Sequence, residues 1–333
     1  MKLNIHKKSM NKNYKLPRKI IVGTVIQNFW TEYPGIEKRL EELSEIIEQI
    51  NLKSIEKYNR NVDIVCFPEC AVTAGKKGKS FEKALPFEGI IRETFSYLAQ
   101  RFRSYIIVPM DLMENGERKK CYNACILIDR NGKVMGIYKK LYPAVVFGTN
   151  DMEGGIHPGK EVTVFECDFG KIGIQICFDM EFDYGWKEMA KKGVEIVFWP
   201  TQSPQTAYPA CRAMKYRIYI VSSTWRNNAA IFEPTGKILA QIREPEKILV
   251  EEIDLSYVIL SWAPQLKNGK ALKEKFGDKI GFRYYEDEDC GIFWSNDPSI
   301  PVEKMVEEIG LGDWYKEKRR LIRFFNKVRK ESK

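Results

Sequence analysis

The run IIVGTVIQ, Ile20 to Gln27, is an uninterrupted apolar segment of strand length, and Pro34 to Ile50 after it places Ile36, Leu40, Leu43, Ile46, Ile47 and Ile50 at helical spacing. A buried strand followed by an amphipathic helix opens an α/β fold. The alternation continues through a strand at Val62 to Phe67, a helix near Ile90 to Phe102 and a strand at Ser104 to Met110. Ala124 to Asp129 and Lys133 to Tyr138 then flank Arg130-Asn131-Gly132, a hairpin signal. A second hairpin is expected from Glu161 to Cys177 around Phe169-Gly170. A helix from about Tyr184 to Lys192, the strand Val194 to Pro200, a helix from about Pro209, the strand Ile218 to Ser223 and a hairpin near Thr235-Gly236 complete the order. Two sheets with helices outside are predicted.

From about Leu255 the pattern breaks, with Gly269, Gly277, Gly281 and the acidic cluster Glu286 to Asp289 ahead of a basic amphipathic terminal helix. The reading divides the chain into a basic tail (1–18), a main domain (19–255) and an extension (256–333). There is no internal repeat.

At 333 residues, with 44 % apolar residues, the chain can bury one large core. It has no apolar run of membrane-spanning length and no signal-peptide centre. Its eight cysteines follow neither a zinc nor a disulfide spacing. A reduced cytoplasmic setting is expected, with no membrane. The formal charge of +9 sits at the ends: residues 1–19 and 314–333 each carry a net +7, which leaves the body at −5. Solvated tails explain this better than a nucleic-acid groove.

Three strand-like runs end in chemically useful residues: VDIVCFPE at Glu69, VMGIYKK at Lys140 and IGIQIC at Cys177. Carboxyl ends of strands are where α/β folds assemble sites. A carboxylate can take a thiol's proton and later deliver it to a leaving amine. A fixed ammonium lowers the thiol pKa and stabilises an oxyanion. Taken singly, each residue type is ordinarily a solvated charge or a small buried hydrophobe.

Their order and flanks resemble the nitrilase (carbon–nitrogen hydrolase) superfamily in three signature regions: Phe67-Pro-Glu-Cys70, Gly136-Ile-Tyr-Lys-Lys140 and Gly173-Ile-Gln-Ile-Cys-Phe-Asp179. Tyr122-Asn123, Arg212-Ala213 and Glu233-Pro-Thr-Gly236 extend the likeness. The resemblance implies a four-layer α-β-β-α sandwich, with Glu69 as general base and acid, Lys140 and the backbone amide of Phe178 as oxyanion donors, and Cys177 as nucleophile. It also implies that Glu153 positions the substrate nitrogen or supports Lys140; the alternative is an ordinary loop charge. Neither metal nor organic cofactor is implied. The expected activity is hydrolysis of an amide or N-carbamoyl (ureido) bond through a thioester, with nitrile hydrolysis as the alternative. A non-catalytic scaffold with polyanion-binding tails is the alternative of another class.

Departures from the family pattern fall at Tyr142, Asp183-Tyr184, Lys215 and Asn228-Ala229. A cysteine–histidine protease is disfavoured because His6 lies in the tail and His157 in a loop without a partner motif. Cys70 is read as packed behind the site. A homodimer or larger homo-oligomer is expected through helical faces and the extension, whose Trp262, Phe276, Phe282, Phe293 and Trp294 offer apolar contact.

Overall fold

The computed structural model describes residues 14–114 and 120–331, so His6 and most of the N-terminal basic tail lie outside the described residues. The chain divides into two compact units, Ile20–Ile253 and a smaller one of Asp254 onward with the residues before Ile20.

In the larger unit, Ile20 to Val25 form a fully buried run because both faces of β1 (Lys19–Val25) are covered. Helix α1 (Ile36–Tyr58) lays Leu40, Leu43, Ile47 and Ile50 on the sheet that β1 shares with β2 (Ile64–Cys66). It runs two turns beyond the expected Ile50 and ends at Asn59 in left-handed conformation. The short α2 (Ser80–Lys83) and the longer α3 (Ile90–Phe102) precede β3 (Tyr105–Met113), β4 (Cys121–Ile128) and β5 (Val134–Lys139). Gly23 lets α1 approach, since a Cβ there would meet Ile50 at 2.4 Å.

The second sheet contains β6 (Val164–Cys167), β7 (Gly170–Ile174), β8 (Ile196–Pro200), β9 (Tyr219–Ser223), β10 (Asn228–Phe232) and β11 (Ile238–Arg243). Helices α4 (Asp183–Lys191) and α5 (Ala207–Tyr216) lie on its outer face, with Trp186, Met189 and Ala213 buried. β12 (Ile248–Asp254) returns to the first sheet, whose order is β12-β1-β2-β3-β4-β5; the second runs β11-β10-β9-β8-β7-β6. In each sheet three neighbouring strands are parallel, β1-β2-β3 and β7-β8-β9. The layers are helix, sheet, sheet, helix.

Hydroxyl groups stitch the sheets together. Thr24 Oγ1 donates to the Ser222 carbonyl at 2.7 Å, and Ser223 Oγ lies within 3.2 Å of the carbonyls of both Val25 and Cys66. These bonds satisfy buried polar groups and fix the sheets' registry beside the strand ends that matter.

The smaller unit has a sheet and core of its own. β13 (Tyr257–Ser261), α6 (Lys270–Phe276), β14 (Ile280–Tyr285), β15 (Cys290–Ser295), α7 (Val302–Glu307) and α8 (Trp314–Glu331) follow in order, with strands arranged β13-β15-β14. Phe293 is buried, and Phe276 and Phe282 pack against the same core. Three of the five aromatic residues offered above for contact between copies therefore serve this unit's interior. A three-stranded sheet must bury one face, and these rings cover it.

Candidate active site

Glu69 follows β2 in a tight turn, where the next residue, Cys70, has φ of 57°. Asn123 on β4 donates from Nδ2 to Glu69 Oε1 at 2.8 Å, and the same oxygen accepts from Lys140 Nζ at 2.7 Å. Lys140 leaves β5 with its own amide bonded to the Asn123 carbonyl at 2.9 Å. One asparagine thus positions both ends of the ion pair. Glu69 and Lys140 are each only 1 % exposed, yet Glu69 Oε2 has no hydrogen-bond partner among the described residues.

The second carboxylate on Lys140 comes from a loop. Glu153 Oε2 accepts from Lys140 Nζ at 2.9 Å and from the Ala144 amide at 3.1 Å. Gly154 beside it has φ of 57°, and a Cβ there would sit 2.3 Å from the Ser80 amide, so only glycine lets this loop rest on α2. Glu153 is thereby brought to the cluster rather than left as a free loop charge.

Cys177 lies three residues beyond β7, in a single 3-10 turn, with φ of 41°. A non-glycine residue held in the left-handed region is costly and requires its surroundings to enforce it. Here Asp179 does so from within the turn. Its Oδ2 accepts from the Ile176 amide at 2.8 Å and from Tyr138 Oη at 2.7 Å, and its Oδ1 accepts from the Tyr142 amide at 2.8 Å. Trp199 Nε1 adds a bond to the Cys177 carbonyl at 3.0 Å. The turn bearing Cys177 is therefore tied to both flanks of Lys140.

Burial pushes the Asp179 carboxyl up to about 6 against these donors. For Lys140, burial alone would push the ammonium down, but Glu69 and Glu153 outweigh it and hold the group well above its ordinary value. The thiol behaves differently from the expectation stated above. Burial and then the charge of Glu69 raise Cys177 to about 12, against the opposing pull of Lys140, the Gln202 backbone and Thr201. The ammonium does lower the thiol, as expected, but it is already shared by two carboxylates. Desolvation wins.

Thr201 and Gln202 are absent from the sequence reading, and Asn123 and Asp179 enter it only as members of motif matches with no role given. An acid just past an apolar strand was a usable signal for Asp179. Cys70 is buried with its thiol 3.7 Å from Asp111 Oδ1, consistent with packing behind Glu69. His157 is exposed and lies edge-on to Tyr122, outside the cluster. Two of the family departures meet each other: Asp183 accepts from Arg212, from Lys215 at 2.8 Å and from Tyr216 at 2.5 Å. A third, Tyr142, stacks on Phe182 at 3.9 Å, and Phe178 meets that ring edge-on. Among the described residues no His, Cys, Asp and Glu group is placed to hold a metal ion, and no helix is long and apolar enough to cross a membrane.

A sandwich of this layering, with a thiol, an ammonium and a carboxylate past its strand ends and a second carboxylate brought in by a loop, describes a class of hydrolase. The carbon-nitrogen hydrolase family profile matches residues 26–261, and the chain belongs to that family. It is an enzyme that hydrolyses carbon–nitrogen bonds. It is 22 % identical to a probable nitrilase of Schizosaccharomyces pombe, over 76 % of this chain and 90 % of that protein. It is 24 % identical to a deaminated glutathione amidase of Synechocystis, over 67 % and 89 % respectively. Among solved structures, Nit3 of Saccharomyces cerevisiae, a nitrilase-superfamily member, superposes with a TM-score of 0.61 at 20 % identity, covering 79 % of this chain and 96 % of that one. The fold is shared.

Proposed function

We propose that the enzyme is an amidase or ureidase in which Cys177 is the nucleophile, Glu69 the proton carrier, Lys140 the oxyanion stabiliser and Glu153 a fourth member that orients the ammonium or the substrate nitrogen. The observation that carries this reading is the Lys140 ammonium held between Glu69 and Glu153 in the electrostatic surroundings of the half-buried Cys177 thiol. With its thiol raised, Cys177 rests protonated at neutral pH. Proton loss to Glu69 must then accompany attack on the substrate carbon, rather than precede it. Lys140 Nζ and the Phe178 amide stabilise the oxyanion as it forms. Collapse of the tetrahedral adduct breaks the carbon–nitrogen bond, and Glu69 returns the proton to the departing ammonia or amine. The acyl group remains on Cys177 as a thioester. Water, deprotonated by Glu69, releases the acid and restores the thiol.

Amides are favoured over nitriles because the deaminated glutathione amidase named above, and an omega-amidase of Danio rerio 23 % identical over 61 % of this chain, act on amides by name. The test is ammonia release from a panel of primary amides, N-carbamoyl compounds and nitriles, combined with intact-mass detection of a covalent acyl adduct. Turnover of nitriles alone would replace the substrate class. Turnover without any adduct at Cys177 under rapid quench would remove the thioester.

A further inference from the structure

Among the described residues, the terminal helix α8 carries an apolar face that stays largely exposed. Asp313 caps it, accepting from the amides of Tyr315 and Lys316 at 3.1 Å, and its other oxygen accepts from the Ile259 amide on β13. Trp314, Tyr315 and Leu321 are half-buried there, so the first turns are seated. Beyond Leu321 the Phe324 and Phe325 rings are about half exposed. Leu321, Phe324, Phe325 and Val328 fall at i, i+3, i+4 and i+7, which is one face. The last three and Ile322 are 41–51 % exposed. A surface helix of a folded unit ordinarily turns such a face inward, so this one is built to meet something.

The polar side narrows what that is. Arg319, Arg323, Lys327 and Lys330 form a basic row on the side of the helix away from the Leu321–Phe325–Val328 face. Glu317 is taken by Arg320, and Glu331 lies near Lys327 at 3.6 Å. Lys318, Arg319, Arg323 and Lys330 have no carboxylate partner among the described residues. Residues 314–333 carry a net +7 while the body of the chain carries −5. Two copies of α8 pressed face to face would bring together the cations that flank that face, Lys318 and Arg329, and leave both basic rows without a counter-charge. A nucleic acid would neutralise the cations but leave the phenyl rings in water. An anionic bilayer takes both, the rings entering the acyl boundary and the basic residues meeting lipid phosphates.

We propose that α8 is an interfacial helix that lies on an anionic lipid surface. Leu321 to Glu331 extend about 16 Å at 1.5 Å per residue, half of the roughly 30 Å needed to span, and their charge keeps them in the headgroup plane. The helix would hold the enzyme at a membrane surface reversibly, with binding that weakens as salt rises.

The test is flotation of the full chain with vesicles of phosphatidylcholine alone, or of phosphatidylcholine with about a third phosphatidylglycerol. Flotation is expected with the second and not the first. Phe324→Ser with Phe325→Ser should abolish it, and Arg319→Gln with Arg323→Gln and Lys327→Gln should weaken it on the order of a hundredfold, at roughly fivefold per charge. Equal thermal unfolding of the variants would show that only the surface has changed. The proposal is overturned if the chain floats with neither vesicle. It is equally overturned if the phenylalanine variant floats as well as the parent and binds single-stranded RNA equally, which would make the helix a polyanion site. It is overturned too if that variant turns a dimer into a monomer in sedimentation velocity, which would make the face a contact between copies.

Discussion

Glu69 and Glu153 present carboxylates to the same ammonium, but the regions that deliver them are built in opposite ways. Glu69 sits at the end of a central parallel strand, fully buried and fixed by Asn123, with the turn that carries Cys177 pinned by Asp179. Glu153 comes from a loop whose neighbours Val145, Val146 and Phe147 are exposed, and it depends on one backbone amide and on Gly154 resting against Ser80. The rigid side suits a proton relay that must keep its distances in every turnover. The loop side suits contact with whatever distinguishes one substrate from another.

Removing the fixed groups should have the largest effect. Cys177→Ala and Glu69→Gln should each reduce kcat at least about 10²-fold, and the double variant should be little worse, because the two act as one unit. A single variant keeping more than about a tenth of parental kcat contradicts the assignment. The raised thiol gives the next signal. Iodoacetamide should modify exposed Cys211 before Cys177 at pH 7, and the Cys177 rate should climb about tenfold per pH unit up to its value near 12. Peptide mass spectrometry across pH 7 to 9 reads this as about a hundredfold rise. A Cys177 rate that levels off near pH 7 would mean that Lys140 dominates after all.

Asp179 tests the pinning itself. Asp179→Asn replaces an oxygen that accepts two bonds with a donor, and should cost about 1.5–3 kcal/mol at pH 7, with kcat falling by roughly the same factor. Because the native carboxyl is raised from 3.8 to about 6, its proton stabilises the fold below pH 4, and that contribution is lost as pH rises through 6. The gap between parent and variant should therefore change between pH 4 and 6 and be constant above it, as measured by denaturant titration. On the loop side, Glu153→Gln should lower kcat/KM about tenfold, since Lys140 keeps Glu69 as a partner and a single charge-assisted bond is lost. Phe147→Ala should leave kcat within about twofold and shift only the relative KM values of substrates. Equal damage from Glu153→Gln and Glu69→Gln would erase the distinction between the regions.

The fixed side was the easier to read. An apolar run that stops at Glu69 or at Cys177 is a linear signal, because strands end where the polarity changes. The work of Asp179 is not linear: Tyr138 on β5 and Tyr142 just past it are its partners, more than thirty residues away in sequence. The direction of the thiol shift was misjudged for the same reason, since burial and competition for one ammonium exist only after folding. The smaller unit was read as a break in pattern because its glycines looked irregular. Gly281 lies under the Trp294 indole, 2.4 Å from where a Cβ would be, and Gly269 lies under Phe282. These are strand and turn positions whose missing side chains make room for rings, so periodicity was hidden by packing.

The hydroxyl seam of Thr24, Ser222 and Ser223 reaches further than registry. Its bonds join backbone from β1, β2 and β9, so neither sheet of the larger unit can loosen alone without stranding buried carbonyls of the other. Cooperativity is the expected consequence: the two sheets should melt as one thermodynamic body, without a partly melted state that retains turnover. On heating, catalysis and the circular dichroism of both sheets should vanish at a single temperature, and replacing Ser223 with alanine should separate those curves before it lowers them far.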